Sequence, residues 1–552
     1  MYIDMRKNTI LLIWLVFSCA IASAQGYSYY ENSQFDPFQR QTYIIGNKSL
    51  HSSIRQYKLD ELRQLYDLDS LIYDGIKQPE IYTNPHQAAD GKPVCKNIFK
   101  NLIHDDFLAW KYNDIYVAIN PFFDFQIGKE NGSDYTSYIN SRGFYINGNL
   151  GKNFWFYMDF NENQARFPAY YEEIARDFGT VPGESNYRKE AKNNYFDYQT
   201  ATGYIGFNIG KYIDFQIGKG KTFIGDGYRS LLLSDNAPAY PMFKFNVTFL
   251  NFKYMMMVTQ LQTHDTQRTS NNGYREKYSF THYFDWNMWG RFSIGLFENV
   301  TMATWRLTGE SRSIDFEYLN PFIIFRPGEF NAGSPDKMIV GINSKLQLCK
   351  WLILHGQFMF NEFRLKELTG GNDYWSNKYG YLLGLKTINI FGAKGLDIQA
   401  EYSQVRPFSY SQYDGLGTYT HHNQCLAHPL VANFREVVAI ANYRYKRLMI
   451  RSQFNFAQYG ADIPGDTLSY GHNPNIPSKK RNAQYGVKLL QGNKTTTKYV
   501  DAAATLLINP RTMMNFTVGL RHRNMKDDFD SNSSTHIYFA LRWSLKNKYY
   551  DY

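Results

Sequence analysis

Cysteine is scarce in this 552-residue chain, with four in all. Cys19 falls in the first 24 residues, and the other three, Cys95, Cys349 and Cys425, are far apart and odd in number, which excludes a disulfide framework. Long apolar runs are missing too. After residue 24 no stretch approaches the ~18 consecutive apolar residues of a membrane helix, so any crossing of a bilayer has to be made by strands. Mean hydropathy is −0.48, again too low for a helical membrane protein. Catalytic signatures are equally sparse. No G-x-S-x-G occurs and no Ser, His and Asp set presents itself for acyl transfer, so no enzyme activity is expected. Gly220-Lys221-Thr222 resembles the end of a phosphate-binding loop, but Phe215 stands where that loop needs glycine. No cofactor and no nucleic-acid partner is expected.

What the chain does have is aromatic side chains: 46 Tyr, 41 Phe and 9 Trp. Disordered chains are aromatic-poor, so this one folds. Residues 1–24 read as a signal peptide, with Arg6 and Lys7 before an apolar core from Thr9 to Phe17 and Ala22-Ser23-Ala24 at the cleavage site. A lipidated Cys19 is the competing reading, against which stand the bulk of Phe17 and the shortness of the apolar run. Residues 25–113 carry apolar residues at helical spacing: Leu59, Leu62, Leu65, Leu68 and Ile72, then Ile98, Phe99, Leu102, Ile103 and Phe107. They predict a small helical module without strands.

From Ile115 the period changes to two, and residues 114–552 predict one barrel. Phe154, Phe156, Met158 and Phe160 alternate with Trp155, Tyr157 and Asp159; Ile537, Phe539, Leu541, Trp543 and Leu545 alternate with Tyr538, Ala540, Arg542 and Ser544. One face is apolar and the other carries Arg, Gln, Asn and Gly, as in a lipid-facing barrel with a wet interior. A soluble sandwich also alternates, so the connectors decide. Tight links such as Gly151-Lys152, Gly210-Lys211 and Lys446-Arg447 are followed by long ones at 165–198, 221–243, 300–336, 405–433 and 459–495. This sorting predicts an all-β transmembrane barrel of about 18 antiparallel strands in the outer membrane, with long loops outside and both termini periplasmic. The least marked features are the break at 251–253 and the segment 482–492, which could form an extra loop hairpin. Tyr and Trp suit the interfacial girdles, and an amphipathic last strand near the aromatic end Tyr549-Tyr550-Asp551-Tyr552 suits the barrel assembly machinery.

Formal charge is +10, and residues 431–552 hold 18 Lys and Arg against 8 Asp and Glu, so the rest of the chain is balanced. This basic third suits anionic glycans or lipid phosphates, or is simply a solvated surface. His421, His422, Cys425 and His428 match no standard zinc spacing and read as a hydrated loop cluster without metal. Asp397 and Glu401 share one side of a strand and are expected to pair with lumenal Arg and Lys. Asp124 to Lys129 recurs as Asp214 to Lys219, which reads as barrel repetition. Two loops stand out, Phe223–Pro241 and Tyr318–Pro327. Both are too apolar to remain in water, so they should fold into the barrel mouth. They also mix Asp, Asn, Arg and Tyr, groups that hydrogen-bond sugar hydroxyls and stack on sugar rings. Asp226, Tyr228, Arg229, Asp235, Asn236, Tyr240, Asn320 and Arg326 are the candidate glycan-binding residues, with a purely structural plug as the competing reading.

The segments FIGDGYRSLLLSDNAPAYP, YLNPFIIFRPGEFNAGS and FPAYYEEIARDFGTVPGES and the ending NKYYDY resemble the Bacteroidetes outer-membrane proteins related to gliding-motility protein RemB. These are similar in turn to the capsule-assembly Wzi barrels. The resemblance implies an eighteen-stranded barrel, a periplasmic helical plug matching residues 25–113 and a role in holding surface polysaccharide, in capsule assembly or in adhesion and gliding motility. Its implied partners are outer-membrane lipid and lipopolysaccharide, and surface or capsular polysaccharide. A porin-like diffusion channel is the alternative.

Overall fold

The computed structural model describes residues 50–57, 62, 65, 98–151, 153–184, 186–189, 195–263, 274–305, 310–320, 336–362, 366–367, 370–543 and 546–552. The signal peptide, Cys95 and most of the predicted 25–113 module lie outside them. Eighteen long strands alternate in direction and close on themselves. They are β1 (Ile115–Glu130), β2 (Thr136–Leu150), β3 (Phe154–Arg166), β4 (Phe196–Ile209), β5 (Ile213–Gly220) and β6 (Tyr240–Phe249). Then follow β7 (Phe252–Thr263), β8 (Arg275–Met288), β9 (Phe292–Ala303), β10 (Lys337–Cys349), β11 (Leu352–Glu362) and β12 (Lys378–Ile388). The last six are β13 (Leu396–Val405), β14 (Phe434–Tyr445), β15 (Leu448–Ala461), β16 (Asn493–Asn509), β17 (Met514–Lys526) and β18 (Ser531–Trp543). Each pairs antiparallel with its neighbours, and β18 closes the barrel on β1 through His536–Arg542 against Glu130–Asp124. Closure leaves no unpaired edge for the backbone to expose to lipid.

The pleat sorts side chains as the alternation requires. On β1, Asp124, Gln126 and Glu130 are buried while Phe125 and Ile127 are exposed. On β18, Tyr538 and Ala540 face in and Ile537 and Phe539 face out. This is the reverse of a water-soluble protein, and it suits a hydrocarbon surround. Tyr212, Trp289, Trp351, Phe391 and Tyr445 sit exposed at or beside the tight turns. They form an aromatic belt at one end of the barrel, where amphipathic rings meet lipid headgroups. Among the described residues no helix is long and apolar enough to cross a membrane.

The strands break at Leu250-Asn251, as the sequence predicts, and 482–492 remains a loop. The predicted sorting of connectors has exceptions. Residues 131–135 and 527–530, at the long-loop end, are short. The helical module also differs from expectation. Helix α1 (Ile98–His104) is present, but Leu108–Tyr112 is a strand paired with Ile115–Ile119 of β1 across a turn in which Asn113 adopts φ 50°. Asparagine tolerates that left-handed turn, so the barrel wall begins before residue 114. A second helix, α2 (Ala169–Phe178), lies in the connection from β3 to β4 and ends on Gly179 at φ 72°.

Candidate functional site within the lumen

A barrel of eighteen strands is wide enough to hold an aqueous channel. Here four separate pieces of the chain enter it: residues 50–57, the loop from Lys221 to Ala239, the loop 406–433, and the C-terminal residues 546–552.

The loop descends from the β5–β6 end and lies against the wall. Its Gly225-Asp226-Gly227 triplet makes this approach possible. A Cβ at Gly225 (φ 144°) would sit 2.5 Å from Gln357 Nε2, and one at Gly227 2.8 Å from Glu401 Oε1. A side chain at Gly225 would be strained at that φ, and a Cβ at Gly227 would also lie 2.9 Å from the backbone oxygen of Arg229. Glu401 on β13 accepts the backbone N–H groups of Tyr228 and Arg229, the latter at 3.0 Å, and His355 Nε2 lies 3.2 Å away. Glu401 therefore anchors loop backbone rather than pairing with Lys or Arg, while Asp397 caps the β12–β13 turn through Asn389 N at 3.0 Å. The apolar part of the loop, Leu231 to Leu233, is buried among Met255, Met257, Ile339, Met359 and Leu382 of the wall. The loop thus goes deeper than the mouth.

The N-terminal segment supports the loop from one side. Ile54 and Arg55 pair antiparallel with Ile224 and Phe223, and Gly225 N donates to Ser53 O at 2.8 Å. Ser52 Oγ donates to Asp226 at 2.6 Å, Asn343 Nδ2 donates to the same carboxylate at 3.0 Å, and Lys345 Nζ lies 3.6 Å away. Burial alone would raise the Asp226 carboxyl, but Lys345 and the two hydrogen bonds outweigh it and hold it at about 2. His51 Nδ1 lies 2.6 Å from Asp285 Oδ2 on β8.

The C-terminal tail supports the loop from the other side. Arg229 donates through Nε and Nη2 to Glu436 at 3.1 and 3.0 Å, and through Nη2 to Asp551 Oδ2 at 2.9 Å. Burial would lower the Arg229 pKa, yet Asp551 and Glu436 raise it well above its ordinary value, so the guanidinium stays charged. Asp551 also accepts from Tyr228 Oη, Gln453 and Asn455. Asp235 accepts from Asn547 at 2.8 Å and from Tyr549 Oη at 2.7 Å, and Asn236 accepts from Tyr552 Oη at 2.9 Å. Lys546 and Lys548 reach Asp159 and Asp124 on the wall, each at 2.7 Å. Tyr550 packs on Arg521, 3.7 Å from ring centre to guanidinium, and on Tyr171 of α2.

Asp226, Tyr228, Arg229, Asp235, Asn236 and Tyr240 are thus brought into one lumenal assembly, and their polar groups are engaged with other parts of the chain. The Tyr240 hydroxyl accepts from Thr222 N at 3.3 Å. Asn320 stands apart, exposed at the end of a short helical turn whose Tyr318 packs on Phe280. Arg326 lies outside the described residues. Glu436 and Asp551, which complete the Arg229 cluster, carry no sequence signal. Arg521 and Arg523 from the basic C-terminal third also point inward, to Asp501 and to Tyr552 O, so part of that surplus is lumenal.

The histidine and cysteine cluster is not hydrated. His421, Cys425 and His428 are buried because the 406–433 loop also folds inward over the Leu231–Leu233 core. His428 Nε2 lies 2.9 Å from Glu436, and Gln262 N donates to His421 Nδ1. Burial pushes the Cys425 thiol up to about 12, so it is no reactive thiolate. The two repeated segments place Asp124 and Asp214 at equivalent inward positions, one on the tail lysine and one accepting from Asn246.

No family model matches the chain, and no curated protein matches its sequence. Among solved structures the chain is similar to Wzi of Escherichia coli, described as a carbohydrate-binding β-barrel involved in group 1 capsule assembly. That likeness has a TM-score of 0.53 at 12% identity and covers 94% of this chain and 100% of the other. OprD and vanillate-bound OpdK of Pseudomonas aeruginosa also align, with TM-scores of 0.41 and 0.44 at 10% and 9% identity, over 77% of this chain and 94% and 98% of theirs. The fold is that of an outer-membrane β-barrel of the Wzi kind.

Proposed function

We propose that this protein is a closed, non-enzymatic outer-membrane barrel that binds or anchors surface polysaccharide at its outer end. The observation that carries the reading is the filled lumen. Three chain segments meet inside the barrel around Asp226 and Arg229, which favours a holding role over a porin-like one. The likeness in fold to a carbohydrate-binding capsule-assembly barrel supports it. In this reading Asp226, Arg229, Asp235 and Asn236 serve the glycan indirectly, by locking the plug on which the outer loops rest. Export by the 1–24 leader, insertion by the barrel assembly machinery and a place in capsule attachment or in adhesion and gliding motility belong to the same proposal.

The test is made in the native cell. Removal of the protein should shift surface polysaccharide from the cell-bound to the shed fraction, and Arg229→Ala at unchanged barrel abundance should do so in part. Unaltered retention in the cell lacking the protein contradicts the reading.

A further inference from the structure

The basic surplus of the last third does not all go inward. Along β14–β18 and β1 the pleat turns Arg435, Lys494, Lys498, Lys526 and Lys129 to the outer side of the barrel, and all five are exposed. Among the described residues, no Asp or Glu shares that outward face on these six strands, and the outward face of β6–β13 carries no Lys or Arg. The outer wall is therefore basic over one arc and not over the opposite one.

The height of these cations on the wall gives them a role. On β16 the outward row reads Ile508, Leu506, Ala504, Ala502 and Val500, and then Lys498. From Ile508 to Lys498 the strand climbs about 25 Å, at a rise of ~3.3 Å per residue and a tilt of ~40°, which is the height of the apolar band of an outer-membrane barrel. Lys498 thus stands at the outer edge of the hydrocarbon and Lys494 just beyond it.

Thr496 pairs with Lys526 and Lys498 with Asn524, so Lys494, Lys526 and Lys498 zigzag across two strands at diagonal positions, about 7–8 Å from one to the next. On the flank, Arg435 donates through Nε and Nη2 to Gln458 Oε1 at 2.9 and 2.6 Å, and Gln458 Nε2 donates to Thr496 Oγ1 at 3.3 Å. These bonds tie the Arg435 guanidinium to the lysine strand. Among the described residues no hydrogen bond or ion pair engages the ammonium groups of Lys494, Lys498 and Lys526. The carboxylates of the 527–530 turn lie beyond the strand ends and are engaged by backbone N–H groups. Asp527 Oδ1 accepts Phe529 N at 2.7 Å and Asp530 N at 2.6 Å, Asp528 Oδ2 accepts Lys494 N at 3.2 Å, and Asp530 Oδ1 accepts Ser531 N at 2.7 Å. Three cations without partners at the edge of the hydrocarbon match the phosphates of a lipid headgroup, through charge-assisted hydrogen bonds. Below them Phe454, Leu520 and Ile537 are exposed and offer acyl chains a surface.

We propose that the outer face of β14–β18 is a docking site for a phosphorylated glycolipid of the outer leaflet, its phosphates held by Lys494, Lys498 and Lys526 and its acyl chains laid on the apolar rows beneath. The inference does not rest on the polysaccharide reading, because it concerns the wall and holds equally for a channel.

The experiment measures binding of purified lipopolysaccharide, intact and chemically dephosphorylated, to the full-length protein in detergent. A chelator is present, so that no divalent cation bridges phosphate to the turn carboxylates. Wild type is compared with the triple variant Lys494→Gln, Lys498→Gln, Lys526→Gln, and with the pair Lys350→Gln, Lys446→Gln at tight turns of the other end. Heat-modifiable gel mobility confirms that each barrel is folded. Binding of intact lipopolysaccharide should weaken about tenfold or more in the triple variant and stay at the wild-type level in the pair. Removing the phosphates should weaken wild-type binding by a similar factor and leave the triple variant unaffected. Added salt should bring the wild type toward the triple variant, since exposed charges are screened. Wild-type binding indifferent to the phosphates, or a triple variant that binds as wild type does, overturns the proposal. An equal loss in the triple variant and in the pair assigns the effect to net charge alone and overturns it as well.

Discussion

The Lys221–Ala239 loop has two sides that are held by different physics. One side buries Leu231, Leu232 and Leu233 against methionines and leucines of β7 to β12. The other joins Arg229, Asp235 and Asn236 to the C-terminal tail and to Glu436. Apolar burial is non-directional and tolerates changes that keep volume. A buried ion cluster adds little net stability, but removing one member leaves an uncompensated charge. The apolar side should therefore supply most of the energy of the plug, and the ionic side its position.

Four substitutions or conditions separate the two sides, taken from the largest expected effect. Arg229→Met leaves Glu436 and Asp551 buried without their cation and should cost about 3–5 kcal/mol in urea unfolding of the detergent-solubilised barrel. Adding Glu436→Gln and Asp551→Asn should return much of it, and a triple variant no better than the single one contradicts the cluster account. Leu232→Ala, next, empties a site shaped by Gly341, where a Cβ would lie 2.3 Å from Leu232 Cδ2. It should cost about 3 kcal/mol, while Leu232→Met should cost under about 1.5 kcal/mol.

Acid supplies the third. The folded-state pKa of Asp226, about 2, lies below the ordinary 3.8, so its stabilisation is complete above 3.8 and is lost as pH falls through 2. Asp226 should contribute roughly 2 kcal/mol at neutral pH, and Asp226→Asn should flatten the acid limb of the stability profile in that window. An acid limb unchanged in the variant assigns the pH dependence elsewhere. The smallest effect is that of Tyr549→Phe, which removes one donor from Asp235 and leaves Asn547 in place. About 1–2 kcal/mol is expected, read as a lower unfolding midpoint.

The barrel was legible because a period of two and inverted polarity are local signals, carried by segments such as Phe154–Phe160. The inward fate of the Phe223–Pro241 loop was legible too, since three consecutive leucines between polar residues cannot remain in water. Pairing inside the lumen was not legible. Arg229 and Asp551 meet across 322 residues of sequence and Arg229 and Glu436 across 207, with no periodicity to announce either. The ending NKYYDY reads only as an aromatic terminus beside the last strand, and nothing in it announces that Tyr549, Tyr550 and Tyr552 are buried, with Lys546 and Lys548 held by Asp159 and Asp124. The candidate residues were chosen for sugar chemistry, and the same donors and acceptors satisfy one another when buried together. The strand Leu108–Tyr112 was missed because Leu-Ala-Trp-Lys-Tyr is too short for alternation to stand out from the helical pattern before it.

The central claim is that the loop and the tail close the barrel. Single-channel conductance in a planar bilayer tests it most directly, on the intact protein and on a chain without 546–552 that also carries Leu232→Ala and Arg229→Met. The account predicts silence from the intact protein and stable conductance when tail and loop are both released. Stable conductance from the intact barrel would contradict it and make the protein a diffusion channel.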